Sequence, residues 1–138
     1  MSEQENVKVV QDAYAAFGRS DVPGLLNHMT EDIDWQMFGA PELPTAGPHP
    51  GKPEVSRFFK EVGETWSFEK FEPRQFIAQG DMVVALGFYS GTAKRNGRTF
   101  GSEFAHVFTV RNGKVVKFRE YTDTANMVGA LSGSTKRV

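Results

Sequence analysis

Two residues in the last third of the chain, His106 and Glu120, are of the types and at the spacing that can move a proton. They lie in a segment running from Phe104 to Asp123, in which two arms of alternating apolar residues flank Asn112-Gly113. Asn-Gly between such arms signals a β-hairpin, and alternation sends successive side chains to opposite faces. We expect a type I turn over Val110–Gly113 with Gly113 as a left-handed bulge. Phe108 then faces Val116, His106 faces Phe118 and Phe104 faces Glu120. One face carries Phe104, His106, Phe108, Val116, Phe118 and Glu120, an apolar wall with an imidazole and a carboxylate diagonally adjacent, roughly 5–8 Å apart at their β-carbons. A plain two-residue turn would shift the register by one and pair His106 with Arg119. On the apolar face, desolvation is expected to raise the Glu120 carboxyl towards neutrality, which suits a group that takes and returns a proton. His106 would orient Glu120 or polarise a bound carbonyl. The alternative is a solvated rim glutamate paired with Arg119 or Lys117, beside a histidine satisfied by a neighbouring hydroxyl or backbone group.

Other chemistry is poorly supported. There is no cysteine, so disulfides and thiolate metal sites are excluded. His28, His49 and His106 lack ligand spacing, so no metal is expected. The one Gly-rich stretch is laden with proline and does not match a phosphate-cradling loop. The expected chemistry therefore uses no metal or organic cofactor. Tyr14, Trp35 and Trp66 are amphipathic aromatics suited to a pocket wall, and Phe58, Phe88, Phe104 and Phe118 are expected to complete a substrate-binding lining. Asp123 either reaches the cavity from the strand end or caps the last helix. His49 either swings over the mouth or is solvated.

The elements that must hold these groups follow from periodicity. Residues 2–19 read as a helix with Val7, Val10, Tyr14 and Phe17 on one face and Ser2 as its cap. Ser20 or Asp21 caps a short second helix holding Leu25, Leu26 and Met29. Residues 32–38 form a first strand. Residues 39–53 contain Gly39, Pro41, Pro44, Gly47, Pro48, Pro50, Gly51 and Pro53. They exclude a helix or a central strand and read as a long loop partly covering a pocket. Pro53 opens a third helix to about Trp66, burying Val55, Phe58, Phe59 and Val62. Strands follow at about 68–79, 81–93, 98–110 and 114–122, and residues 124–131 form a short last helix. Helices segregated from a meander of strands give an α+β fold, a cone-shaped barrel with three N-terminal helices on a curved, mostly antiparallel sheet.

The 138 residues suffice for one domain, 1–138. A formal net charge of -1 leaves no electrostatic footprint for nucleic acid or an acidic membrane, and Lys136-Arg137 is too short a basic tail to count. No apolar run could span a membrane. The acidic, polar start is wrong for a secretory signal, so a cytoplasmic location is expected. Strands 68–79, 81–93 and 98–110 carry apolar residues on both faces, for example Phe76, Ile77, Val83, Val84, Leu86 and Phe88. One face covers the helices; the other calls for a second copy, so a homodimer is expected.

The element order, with Ala15–Asp21, Thr30–Trp35, Gly51–Phe59, Ala105–Val110 and Gly113–Asp123, resembles the nuclear-transport-factor-2-like superfamily. Within it the chain looks like the SnoaL-like group, related to ketosteroid isomerases, limonene epoxide hydrolases and polyketide cyclases. The resemblance implies the cone fold over nearly the whole chain, but the fold hosts many activities. Ketosteroid isomerases carry a general-base Asp after the first strand; Trp35-Gln36-Met37-Phe38 lacks it. Tyr14 is similar to their oxyanion-donating Tyr, but no acid stands where the protonated Asp beside it would be. Limonene epoxide hydrolases need an Arg and an Asp on an earlier strand, which Val83–Tyr89 does not supply. In polyketide cyclases of the group an Asp on the last strand is the acid/base with a His on the preceding strand, the places of Glu120 and His106. Two functions remain open. One is a cofactor-independent isomerase, cyclase or dehydratase-type enzyme acting on a small apolar or polyketide-like compound. The other is a non-catalytic ligand-binding or dimeric structural module.

Overall fold

The computed structural model describes residues 2–132; Lys136 and Arg137 lie outside the described residues. Helix α1 (Glu3–Gly18) begins at a capping box. The Ser2 hydroxyl accepts from the Glu5 amide, and the Glu5 carboxylate accepts from the Ser2 amide. Its inner face, Val10, Ala13 and Ala16 with Tyr14 and Phe17 beside them, packs into the core. Asp21 caps the five-residue α2 (Val22–Leu26). Met29, expected on that helix, is instead the buried first residue of β1 (Met29–Met37).

The proline-rich stretch is not loop throughout. Gly47–Pro50 forms a short edge strand, β2, antiparallel to β1. Proline is tolerated there because an edge needs no donor on its outer side. Helix α3 (Gly51–Thr65) starts two residues earlier than expected and runs directly into β3 (Trp66–Gln79). Strands β4 (Met82–Ala93), β5 (Thr99–Arg111) and β6 (Lys114–Thr122) precede α4 (Thr124–Leu131). The sheet order is β2-β1-β6-β5-β4-β3, antiparallel except for the parallel β1–β6 pair. The sheet is curved and open. Two register shifts in β3 bend it, and Gly91 on β4 admits the Ser67 carbonyl so closely that no Cβ would fit. Helices α1 and α3 lie in the concave face, and among the described residues no helix is long and apolar enough to cross a membrane.

The central hairpin takes neither expected register. Asn112 and Gly113 both have positive φ, 52° and 76°, and make a two-residue turn with Arg111 opposite Lys114. A register shift between Thr109 and Val110 then moves the pairing by one, so that Phe108 faces Phe118 and His106 faces Glu120 directly. The bulge therefore lies in the strand rather than in the turn. Val115, not Val116, turns inward, while Phe104, His106, Phe108, Phe118 and Glu120 all keep the buried face.

Candidate active site

His106 and Glu120 are paired across β5 and β6 and are 5% and 7% exposed. Nε2 of His106 lies 3.1 Å from Oε2 of Glu120, off the axis of an aligned hydrogen bond, so the pair is a close charge contact. The same Oε2 accepts a 2.7 Å hydrogen bond from the Tyr89 hydroxyl. On the other side of the imidazole, Nδ1 is 2.6 Å from the hydroxyl of Tyr14. A line of polar groups thus runs Tyr14–His106–Glu120–Tyr89 through an aromatic interior. With its only ring proton on Nε2, His106 accepts from Tyr14; with a proton on Nδ1, alone or as the second of two, it donates to Tyr14.

The electrostatics correct the expectation of a raised glutamate. Burial pushes the Glu120 carboxyl up, but the opposing His106 charge, the His106 contact and the Tyr89 hydrogen bond outweigh it, and the pKa lies below the ordinary carboxylate value. The direct pairing is the reason, since the expected diagonal placement would have left more burial uncompensated. Burial, then the Glu120 charge, pushes the Tyr14 and Tyr89 phenols well above their usual value. Both remain neutral phenols.

An apolar cavity of about 80 Å³ opens onto this line. Tyr14, Trp35, Phe58, Trp66 and Phe118 line it, with His106 and Glu120. Trp35 stacks on Phe118 at 3.8 Å, and its buried indole N–H has no partner among the described residues. Phe104 is set one layer back, stacked on His106 at 4.1 Å and on Tyr89 at 5.0 Å. Phe88 is a correction: it points to the outer face beneath the Arg74 guanidinium, and its neighbour Tyr89 is the residue inside. Residues 83–89 are apolar on both faces, so alternation alone could not choose. The small residues Ala85, Gly87, Gly91 and Ala93 share the phase of Tyr89 and were the available signal for the concave side. Asp123 takes the cap, the second of its two expected places, and does not reach the cavity. Its exposed carboxylate accepts from the Asn126 amide and caps α4. Asp123→Ala is expected to cost about 1 kcal/mol of stability, read from the urea midpoint, with ligand binding unchanged.

The 39–52 segment reaches the cavity only through Thr45. His49 neither swings free nor is fully solvated: it is half-buried, bonded to the Thr45 carbonyl at 2.7 Å and set edge-on to Phe58.

Residues 10–118 match the family model of the SnoaL-like domain. The chain belongs to the SnoaL-like family. Solved structures agree. A nuclear-transport-factor-2-like protein from Burkholderia xenovorans LB400 is 40% identical over 94% of this SnoaL-like chain and 98% of its own, with a TM-score of 0.86. One from Burkholderia thailandensis E264 is 32% identical over 95% and 98%, with a TM-score of 0.84. TerC, crystallised with polyporic acid, is 28% identical over 93% and 98%, with a TM-score of 0.84. No curated protein matches this SnoaL-like chain.

Proposed function

We propose that this protein is a cofactor-independent acid/base enzyme that removes a proton from a small, flat, oxygenated organic molecule, the first step of an isomerase, cyclase or dehydratase-type reaction. The observation that carries the reading is a buried carboxylate kept ionised by a directly opposed imidazole on the wall of an apolar cavity. In this reading Glu120 is the base. As it takes the substrate proton, negative charge leaves the carboxylate for the substrate. The His106 cation, losing its partner, then stabilises the developing oxyanion. Tyr14 and Tyr89 hold the pair in place, and the unpartnered Trp35 N–H is a further donor for a substrate oxygen. The co-crystallisation of TerC with polyporic acid supports a ligand of this general kind.

The test is solvent exchange. 2-Tetralone in deuterated buffer, followed by proton NMR, should incorporate deuterium next to its carbonyl faster with the protein than without it. Saturable binding with exchange at the buffer rate would instead favour a ligand-binding module.

We further propose that the protein is a homodimer through the convex face of the sheet. Ile77, Met82 and Tyr121 are 48%, 46% and 46% exposed there, in line with Val84, Leu86, Phe88 and Val107, and Phe38 stacks on Tyr121. An exposed apolar patch of this extent marks an interaction surface. Light scattering at micromolar concentration should give twice the monomer mass; the monomer mass would refute the dimer.

A further inference from the structure

Gly18, which ends α1, and Gly63, near the end of α3, are required neither by backbone nor by packing. Neither has a positive φ, and a Cβ added at either would meet nothing within 4 Å. Helices disfavour glycine relative to alanine, so both positions forgo helix stability. What the missing side chains leave is space. Both glycines line a groove of about 660 Å³ between α1, α3 and β3. Phe17, Phe59, Phe68 and Phe71 line this groove and also the inner cavity. They form the partition, with Phe17 and Phe71 only 4.8 Å apart at their ring centres.

The sizes decide what this arrangement can hold. A cavity of roughly 150 Å³ takes one benzene, and the inner cavity is about 80 Å³. A ring that reaches Glu120 needs more room than the inner cavity gives, and the adjoining space is the groove, which it reaches only if the touching partition rings part. The inner end is almost wholly apolar apart from the polar line, whereas Ser20, Ser67, Lys70 and Lys94 bring polar and cationic groups to the groove against the single acid Glu69. Lys94 Nζ donates to the Gly63 carbonyl at 2.5 Å, which holds a cation beside the glycine.

We propose that the groove is a distal subsite, and that the ligand is an elongated flat molecule of at least two fused or linked rings with an acidic group at its outer end. The proposal rests on the acid/base reading only for which end lies inward. Its test is a binding measurement, so it and the exchange assay can fail separately.

The test is calorimetric titration of 2-naphthol and 6-hydroxy-2-naphthoic acid, which differ by a carboxylate at the far end. The acid should bind about threefold to tenfold more tightly at low salt, and added salt should shrink the difference. Gly18→Trp and Gly63→Trp should each weaken both probes at least tenfold by filling the groove. Lys70→Gln should reduce the gain of the acid alone. Gly129→Trp, on α4 where a Cβ also meets nothing, should bind as wild type does and so controls for the bulk of the new side chain. Equal affinity for the two probes, full binding in both tryptophan variants, or no saturable binding of either probe at millimolar concentration would overturn the proposal.

Discussion

Glu120→Gln should lower the exchange of 2-tetralone by about a hundredfold or more, a loss typical of removing a general base and equivalent to roughly 2.7 kcal/mol of barrier. The substitution keeps the shape of the side chain and an oxygen that can still accept from Tyr89, so the fold survives and circular dichroism should match wild type. What it removes is the charge opposite His106 and the ability to accept a proton. Unchanged turnover in a folded variant would make the carboxylate a wall residue. Tyr89→Phe should act in the same direction but much more weakly, because it removes one donor to Oε2 and leaves the base in place.

His106→Ala should destabilise the protein by about 3–5 kcal/mol at neutral pH, because it leaves a buried carboxylate without its opposite charge. The pH dependence separates this from a cavity effect. In the wild type the folded-state pKa of Glu120 lies below its unfolded value. Its contribution is therefore present above the ordinary carboxylate range and is lost as pH falls through the lowered folded value. Without His106, burial dominates and the folded pKa lies above the unfolded one. That contribution is fully present below the unfolded value and is lost as pH rises through the raised one. The gap between wild type and variant should therefore be smallest at acid pH and widen as pH rises through the carboxylate range. Urea unfolding across that range measures it, and a gap that does not change with pH would mean that His106 matters only for packing. Asp34 and Glu72, whose carboxyls are also lowered, first by Arg119 and Arg74 respectively, are common to both proteins and cancel in the difference.

The fold was legible because several independent patterns pointed to it. The amphipathic first helix, the Asn-Gly hairpin and the order of elements agree with one another. The inward placement of His106 and Glu120 was legible for a narrower reason. The expected and observed registers differ by two residues, and a shift of two leaves every side chain on its own face. The position of the bulge was not legible, because Val115 and Val116 are chemically equivalent candidates for the inner side. That one ambiguity changed the chemistry. Direct rather than diagonal pairing brings the imidazole close enough to reverse the direction of the Glu120 shift. Tyr89 escaped notice because β4 is apolar on both faces, one covering the core and the other exposed. The edge strand at Gly47–Pro50 escaped because two prolines in four residues carry no strand signal of their own.

The parallel pairing of β1 with β6 also has a kinetic consequence. Met29 pairs with Val115 and residues 34–37 pair with residues 117–120, and Tyr14 meets a histidine 92 positions further on. The middle of the sheet therefore closes only after almost all of the chain has left the ribosome. Until then β1 exposes one of its edges, and the polar line lacks Glu120, the last of its four groups to be synthesised. Contacts this distant in sequence slow folding, because loop closure must precede any gain from pairing. Refolding on the millisecond-to-second scale is the expected regime. The proton-handling machinery is then among the last parts of the molecule to assemble, and a chain stalled before residue 114 holds a helical layer and a hairpin meander but no carboxylate.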